Sequence, residues 1–366
     1  MLGAIVPYLA VTMADVGATK RQIALALLTL PVGTLAAGPV WAAWADRAGR
    51  PDGVLKAATI VSAIGAMVMA FSPGWVGIAV GLFLFAGGRA PQIPLVDVLV
   101  VRTLGAAREH YGKVRLWGSV AFLVLVWLCG PLREVWPRAP LIIGAAMAWG
   151  TVAVTWGLPP VTPEPSPALL PALKRLARHP VLMPLLLVAV LHGTTLGVYN
   201  LLFSLHVEAV GLPGRVIGTA IAAGVAVEIG VMAVSHRIFA RMGVLLPLVI
   251  AVASGIPRWW YTASATEAVP MILLQCLHGI GFGVWWMASV AVFTERAPKA
   301  IRNATQALLP ATSHGAANLV AMGMAAALLV DAGTEGLLKA CAGFSLAAAV
   351  VAGFAMVAAR SSHVTE

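Results

Sequence analysis

Three ionisable residues lie in apolar stretches where charge is costly: Glu228, Arg258 and His278. Such a group is kept at membrane depth when it faces a bundle interior or a wet cavity, and it commonly marks an ion or substrate path. The three types complement one another. Glu228 can hold or release a proton, Arg258 can grip a carboxylate with two parallel hydrogen bonds, and His278 can donate and accept at once. Burial opposes the charge on Glu228 while a nearby arginine favours it, so a carboxyl balanced between them can load a proton on one membrane face and unload it on the other. The competing readings are a permanent structural ion pair for Glu228 and a neutral packing histidine for His278. Counting helical rise puts Glu228 and Arg258 roughly 10 Å apart in depth, with His278 between them and able to bridge.

His278 belongs to residues 275–289, QCLHGIGFGVWWMAS, inside the apolar run 268–293. That run is long enough to cross a bilayer as one helix. On a regular wheel of about 100° per residue, Gln275, His278, Phe282, Trp285 and Ser289 share a face. Trp285 could stack on a sugar or aromatic ring, whereas interface anchoring suits Trp259 and Trp260 better. Tyr199 and Asn200 lie on or beside a polar stripe with Thr195 and His206, which would line a cavity or join helices by hydrogen bonds. Arg89 lies deep in its own run, and Asp97, about 12 Å further along, approaches the run's end within reach of Lys113 or Arg115. The expected substrate contacts are therefore Arg89, Tyr199, Asn200, Arg258, Trp285 and Gln275. Asp97 and Arg115 read as gate structure. Gln306, Ser313, His314 and Asn318 are weaker cavity candidates, and Pro310 suggests a bend beside them.

Composition shows what must hold these residues. The chain is 60% hydrophobic and 10% charged, with mean hydropathy +0.92. Soluble domains carry about 25% charged residues, so the chain reads as an all-α membrane protein. Twelve apolar runs appear, and the first, residues 1–13, has about half the length needed to cross. That shortness is expected either from a natural start upstream of Met1, which is the favoured reading, or from a truncated first helix. The proline-rich stretch 159–180 parts the runs six and six, giving an N-terminal bundle (1–158), a cytoplasmic linker and a C-terminal bundle (181–366).

An even number of crossings puts both termini on one side. Sixteen lysines and arginines then fall on that side against six opposite. Basic loops face the cytoplasm, which predicts a multi-pass protein of the cell's inner membrane with both termini inside. The net charge of +10 is explained by this asymmetry, so nucleic acid is not expected as a partner. The three cysteines are far apart and suggest packing rather than a disulfide or metal site. No phosphate loop, nucleophile elbow or metal-ligand spacing appears, so neither enzyme activity nor a cofactor is expected. The expected partners are lipid, a small solute and protons, and the chain is expected to be a monomer.

Residues 42–51, AAWADRAGRP, resemble the Gly-x-x-x-Asp-Arg-x-Gly-Arg loop motif of the major facilitator superfamily. Asp46, Arg47, Gly49 and Arg50 match; Ala42 and Pro51 replace the first glycine and the last basic residue. Residues 111–122, YGKVRLWGSVAF, and 89–97, RAPQIPLVD, are similar to the branch with lactose permease-like and phenylpropionate permease-like proton symporters. So are the flanks of Glu228 and His278. The resemblance implies two pseudo-symmetric six-helix bundles working by alternating access. It further implies gating roles for Asp46, Arg47 and Arg50, and proton coupling through Glu228, Arg258 and His278. The expected activity is uptake of a sugar-like solute or an aromatic or organic acid. The alternatives are proton-driven efflux of drug-like compounds and a non-transporting scaffold.

Overall fold

The computed structural model describes residues 1–48, 51–93, 95–96, 100, 111–158, 174, 176–177, 179–298 and 302–362, and most of the linker lies outside them. All regular structure among the described residues is helical, and it resolves into the twelve helices expected. The first six are α1 (Leu2–Asp15), α2 (Lys20–Ala48), α3 (Pro51–Phe71), α4 (Trp75–Arg89), α5 (Tyr111–Val135) and α6 (Ala139–Trp156). After the linker come α7 (Leu182–Ala209), α8 (Gly214–Met242), α9 (Leu245–Ala253 and Gly255–Ser264) and α10 (Ala268–Arg296). The last two are α11 (Arg302–Pro310, Ala311–Ala316 and Ala317–Leu328) and α12 (Gly333–Ser362).

Eight described helices are long and apolar enough to span a bilayer, while α1 and α4 are shorter. The breaks in α9 and α11 have local causes. Pro257 has no N–H to offer the carbonyl four residues earlier, and α9 divides at Ser254 just upstream. In α11, Pro310 is followed at once by a π-helical segment, Ala311–Ala316. A second π segment, Gly279–Val284, interrupts α10. Such segments insert one extra residue in a turn and concentrate at functional positions.

By packing, the chain forms two compact units. One comprises Met1–Pro165 with Leu201–Glu208 and Pro213–Gly218; the other comprises Ser166–Asn200, Ala209–Leu212 and Thr219–Glu366. In the first, helices approach through glycine, since no hydrophobic force separates helix from lipid and close contact must supply the attraction. A Cβ on Gly81 would lie 2.7 Å from the Gly65 carbonyl oxygen, and one on Gly218 2.6 Å from that of Val126. At the end of α5, the buried Arg133 joins two acids. Its Nη1 and Nη2 donate to Asp15 at 2.6 and 3.1 Å, and its Nε and Nη2 to Glu208 Oε1 at 3.0 and 2.8 Å. The guanidinium thereby ties α1, α5 and the end of α7 together.

The second unit has an apolar core that includes Leu248, Val252, Trp285 and Phe293. Its first long helix, α7, begins under a histidine cap. His179 Nδ1 accepts from the backbone N–H groups of Val181 and Leu182 at 3.2 and 3.1 Å. Burial, with repulsion from Arg296 behind it, holds this imidazole below its ordinary range.

These contacts make two outcomes testable. Arg133→Ala leaves both acids without their cation, and because each acid keeps about a third of its surface, the expected loss is about 1–3 kcal/mol. Asp15→Asn or Glu208→Gln alone should cost less, since Arg133 keeps one carboxylate; thermal unfolding in detergent reads the ranking. For His179, the folded state prefers the neutral ring, so the unfolded chain binds more protons and stability rises with pH. The cap is complete above about pH 6.5 and is lost as pH falls through the folded-state value. His179→Asn keeps an acceptor that does not titrate, so the melting temperature of this variant should fall less than wild type between about pH 7 and pH 5. Parallel pH profiles would refute that reading of the cap.

Candidate functional site

The site grows from a close crossing of α8 and α10. A Cβ on Gly224 would lie 2.7 Å from the Gln275 carbonyl oxygen, and one on Gly279 would collide with the backbone nitrogen of Glu228. Two glycines, one from each helix, thus bring Glu228 beside His278. Glu228 Oε2 lies 3.8 Å from His278 Nε2, beyond direct hydrogen-bond length but within ion-pair range. On the other side of the ring, Arg258 Nη1 is 3.3 Å from Nδ1. A guanidinium can only donate, so Nδ1 accepts and a neutral ring carries its proton on Nε2, aimed at the carboxylate. His278 therefore stands between acid and base, the bridging position expected from helical depth.

Arg258 is held on every side. Gln275 Oε1 accepts from its Nε and Nη2 at 3.2 and 2.9 Å. Gln275 Nε2 donates to Thr262 Oγ1 and to the Met271 carbonyl, both at 3.2 Å, which fixes the amide's orientation. The Arg258 Cζ lies 4.3 Å from the ring centre of Tyr199 and 3.9 Å from that of Trp259. Aromatic faces attract a cation that has lost its water. The guanidinium is 2% exposed, and Gln275 is fully buried. The sequence supplies this geometry locally, because the break before Pro257 starts a new turn that carries Arg258, Trp259 and Thr262 inward together.

A run of rings continues from His278. Tyr199 packs on it at 4.9 Å between centroids, and Phe282 stacks on it at 5.7 Å and 5°. Phe282 lies 6.2 Å and 19° from Trp286, which meets His314 of α11 edge-on at 5.7 Å. Trp285 lies beside this run, 6.2 Å from Phe282 and 5.8 Å from Trp286, and packs on His192 at 5.0 Å. His192 Nε2 donates to the Gly281 carbonyl at 3.0 Å, inside the π segment where helical pairing is disturbed.

Thus the structure brings together Glu228, Arg258, His278, Tyr199 and Gln275. Trp285 is near them but fully buried, and Asn200 is exposed away from the cluster's contacts. Arg89 belongs to the first unit, half-buried, with its guanidinium 5.7 Å from the Phe85 ring centre. Of the expected gate residues, Asp46 and Arg47 lie in the last turns of α2 and Arg115 in α5, their side chains outside the described ones. Arg50 and Asp97 lie outside the described residues. Among the described residues, no group of three or more metal-ligating side chains occurs. Sequence reasoning gave Trp286, Thr262 and His192 no role of their own and His314 a minor place. The glycine alternation in 279–283 was the available signal that the backbone there is irregular.

Comparison with known proteins places the fold. The model described as the MFS_1 like family matches residues 1–327. The chain is 25% identical over 320 residues to a maltose permease of Geobacillus stearothermophilus, covering 86% of this chain and 80% of that one. It is 25% identical over 316 residues to a probable 3-phenylpropionic acid transporter of Escherichia coli K12, covering 80% and 79%. Among solved structures, the nucleoside transporter NupG superposes with TM-score 0.81 at 16% identity, covering 97% of this chain and 95% of the other. A bacterial homologue of the human lysosomal transporter Spinster, inward-facing and unoccupied, gives TM-score 0.72 at 15% identity, covering 98% and 93%.

The glycine crossing generates a paired test. Gly279→Ala forces α8 and α10 apart at Glu228 and should destabilise by about 1–3 kcal/mol. Gly230→Ala, on α8 with nothing within 4 Å of its added carbon, should be neutral or stabilise by up to about 1 kcal/mol. Equal melting temperatures for the two variants would remove the crossing as the feature that positions Glu228.

Proposed function

Because this chain belongs to the MFS_1 like family, we propose that it is a secondary transporter of the inner membrane that takes up a small organic solute with protons by alternating access. That it is a multi-pass membrane transporter and not an enzyme follows from the family. The coupling and the solute class are our reading. One observation supports them above the rest: the buried line Glu228–His278–Arg258, with neutral His278 between an acid and a permanent cation.

In this reading Glu228 is the proton carrier. Its carboxylate sits across the imidazole from Arg258, whose charge is stabilised by Gln275, Tyr199 and Trp259 and never leaves. Loading a proton on Glu228 removes its attraction to the His278–Arg258 side, so the helices holding the two ends can separate more easily. Movement of α8 against α9 and α10 is thereby tied to protonation. The excess of cytoplasmic lysine and arginine supports the orientation with both termini inside. Permeases for a sugar and an aromatic acid among the relatives support a small organic solute. Arg89, Tyr199 and Asn200 remain proposed contacts for it, and Asp46, Arg47, Arg50, Asp97 and Arg115 proposed gate residues.

Uptake into proteoliposomes decides the matter. An inward proton gradient should accelerate wild-type uptake, and Glu228→Gln should lose that acceleration at least tenfold while retaining exchange of labelled for unlabelled solute without a gradient. Gradient-driven accumulation surviving in Glu228→Gln would take Glu228 out of the coupling.

A further inference from the structure

The two π segments share a neighbour, because successive residues of α7 each meet one of them. His192 Nε2 donates to the Gly281 carbonyl, inside the α10 segment, at 3.0 Å. A Cβ on Gly193 would collide with the carbonyl oxygen of Ser313, inside the α11 segment, and would lie 2.8 Å from the Ala317 Cβ. The hydroxyl of Thr194 donates to the Ala317 carbonyl at 3.4 Å, where α11 resumes its regular turns. One buried stretch of α7 thus supports both departures from α geometry.

What the contact with α10 fixes is rotation. A π segment holds one residue more than an α turn, and losing it would turn the helix on one side against the other by about 100°. His278 directly precedes the α10 segment and Trp285 directly follows it. His192 holds the segment in the middle, at Gly281, and lays its ring on Trp285 at 5.0 Å and 53°. A carbonyl can only accept, so Nε2 carries the proton of this ring. Its Nδ1 has no hydrogen-bond partner among the described residues, so the ring has one polar contact there and no second one to pass a proton along. Deepening the transport reading above, and resting on it for what the position means in coupling, we infer that His192 is a positioning residue: it holds the α10 π segment in phase and so keeps His278 between Glu228 and Arg258. It acts through the backbone of α10, with Gly193 letting α7 come close enough to α11 to stay in register.

The test reads His278 directly, in purified protein in nanodiscs with neither solute nor gradient. Ring-nitrogen resonances of the histidines, assigned by single substitutions, should show His192 and His278 as neutral rings with the proton on Nε2. His192→Gln sets an amide N–H where Nε2 lies and does not titrate, so it should leave the His278 resonances in place. His192→Phe keeps a flat ring and loses the donor. It should shift the His278 resonances and speed hydrogen exchange of the amides of residues 279–284 by about tenfold. His192→Met, flexible enough to fill the same space without a donor, should do the same. A side chain that only fills space would lower the melting temperature of His192→Phe and leave His278 unmoved, which would overturn the inference. So would a proton on Nδ1 of His192 in the unsubstituted protein, or a His192→Gln variant that disturbs His278 as much as His192→Phe does. Gradient-driven uptake surviving in Glu228→Gln would instead fault the coupling, while the dependence of His278 on His192 stood.

Discussion

The second unit is organised around a positive charge that has no water. Moving a guanidinium into an apolar interior is tolerable only if other groups replace its hydration shell. Arg258 obtains that replacement from a neutral amide oxygen, an imidazole nitrogen and two aromatic faces, with no carboxylate in direct contact among the described residues. The choice of neutral partners has a consequence. A direct ion pair would cancel the charge locally, whereas here the cation's field extends through His278 toward Glu228. The acid and the cation are coupled without being bonded, so Glu228 can change its protonation state while Arg258 keeps its shell.

Such an arrangement demands backbone irregularity. An unbroken helix satisfies its own polar groups and presents side chains at fixed angles, which suits lipid and leaves little to adjust. The departures here are few and local: the division of α9 before Pro257, the π segments of α10 and α11, and the glycines that let α8 touch α10. Each lies within the site or next to it. Gly281 shows the pattern, since its carbonyl lies in the α10 π segment and accepts a hydrogen bond from His192 of α7. Buried His192 thus ties α7 to the irregular segment of α10.

Hydropathy made the fold legible, since runs of apolar residues long enough to cross a bilayer leave few alternatives, and loop charges explained the basic excess. The acid, imidazole and guanidinium were legible too, because charge inside an apolar run is rare enough to stand out. Which aromatic residue faces which way was not. A regular wheel starting at Gln275 puts His278, Phe282 and Trp285 on one face. The π segment adds a residue within a turn and rotates the residues beyond it by about 100°. Trp286 thereby meets Phe282 as well, while Trp285 lies 6.2 Å from Phe282 and 5.8 Å from Trp286 and also packs on His192 in the core. The wheel did give the buried face, since Gln275, His278, Trp285 and Ser289 are all buried, but single-residue periodicity could not show that the inserted residue also brings Trp286 to the rings.

The two buried arginines of the described chain show why burial alone does not assign a role. Arg133 is 6% exposed and meets two carboxylates, a cluster with a net negative charge that stays close to solvent through its acids. Its energy comes from holding three helices at one geometry, and any rearrangement there must break charge-assisted bonds together. Arg258 is more deeply buried, and its contacts among the described residues are all to neutral groups. Little direct ion pairing has to break for the far side of His278 to change protonation. A fastening needs strong, simultaneous bonds and a relay needs a stable charge with a replaceable counterpart; the partner types, rather than the exposure, distinguish the two.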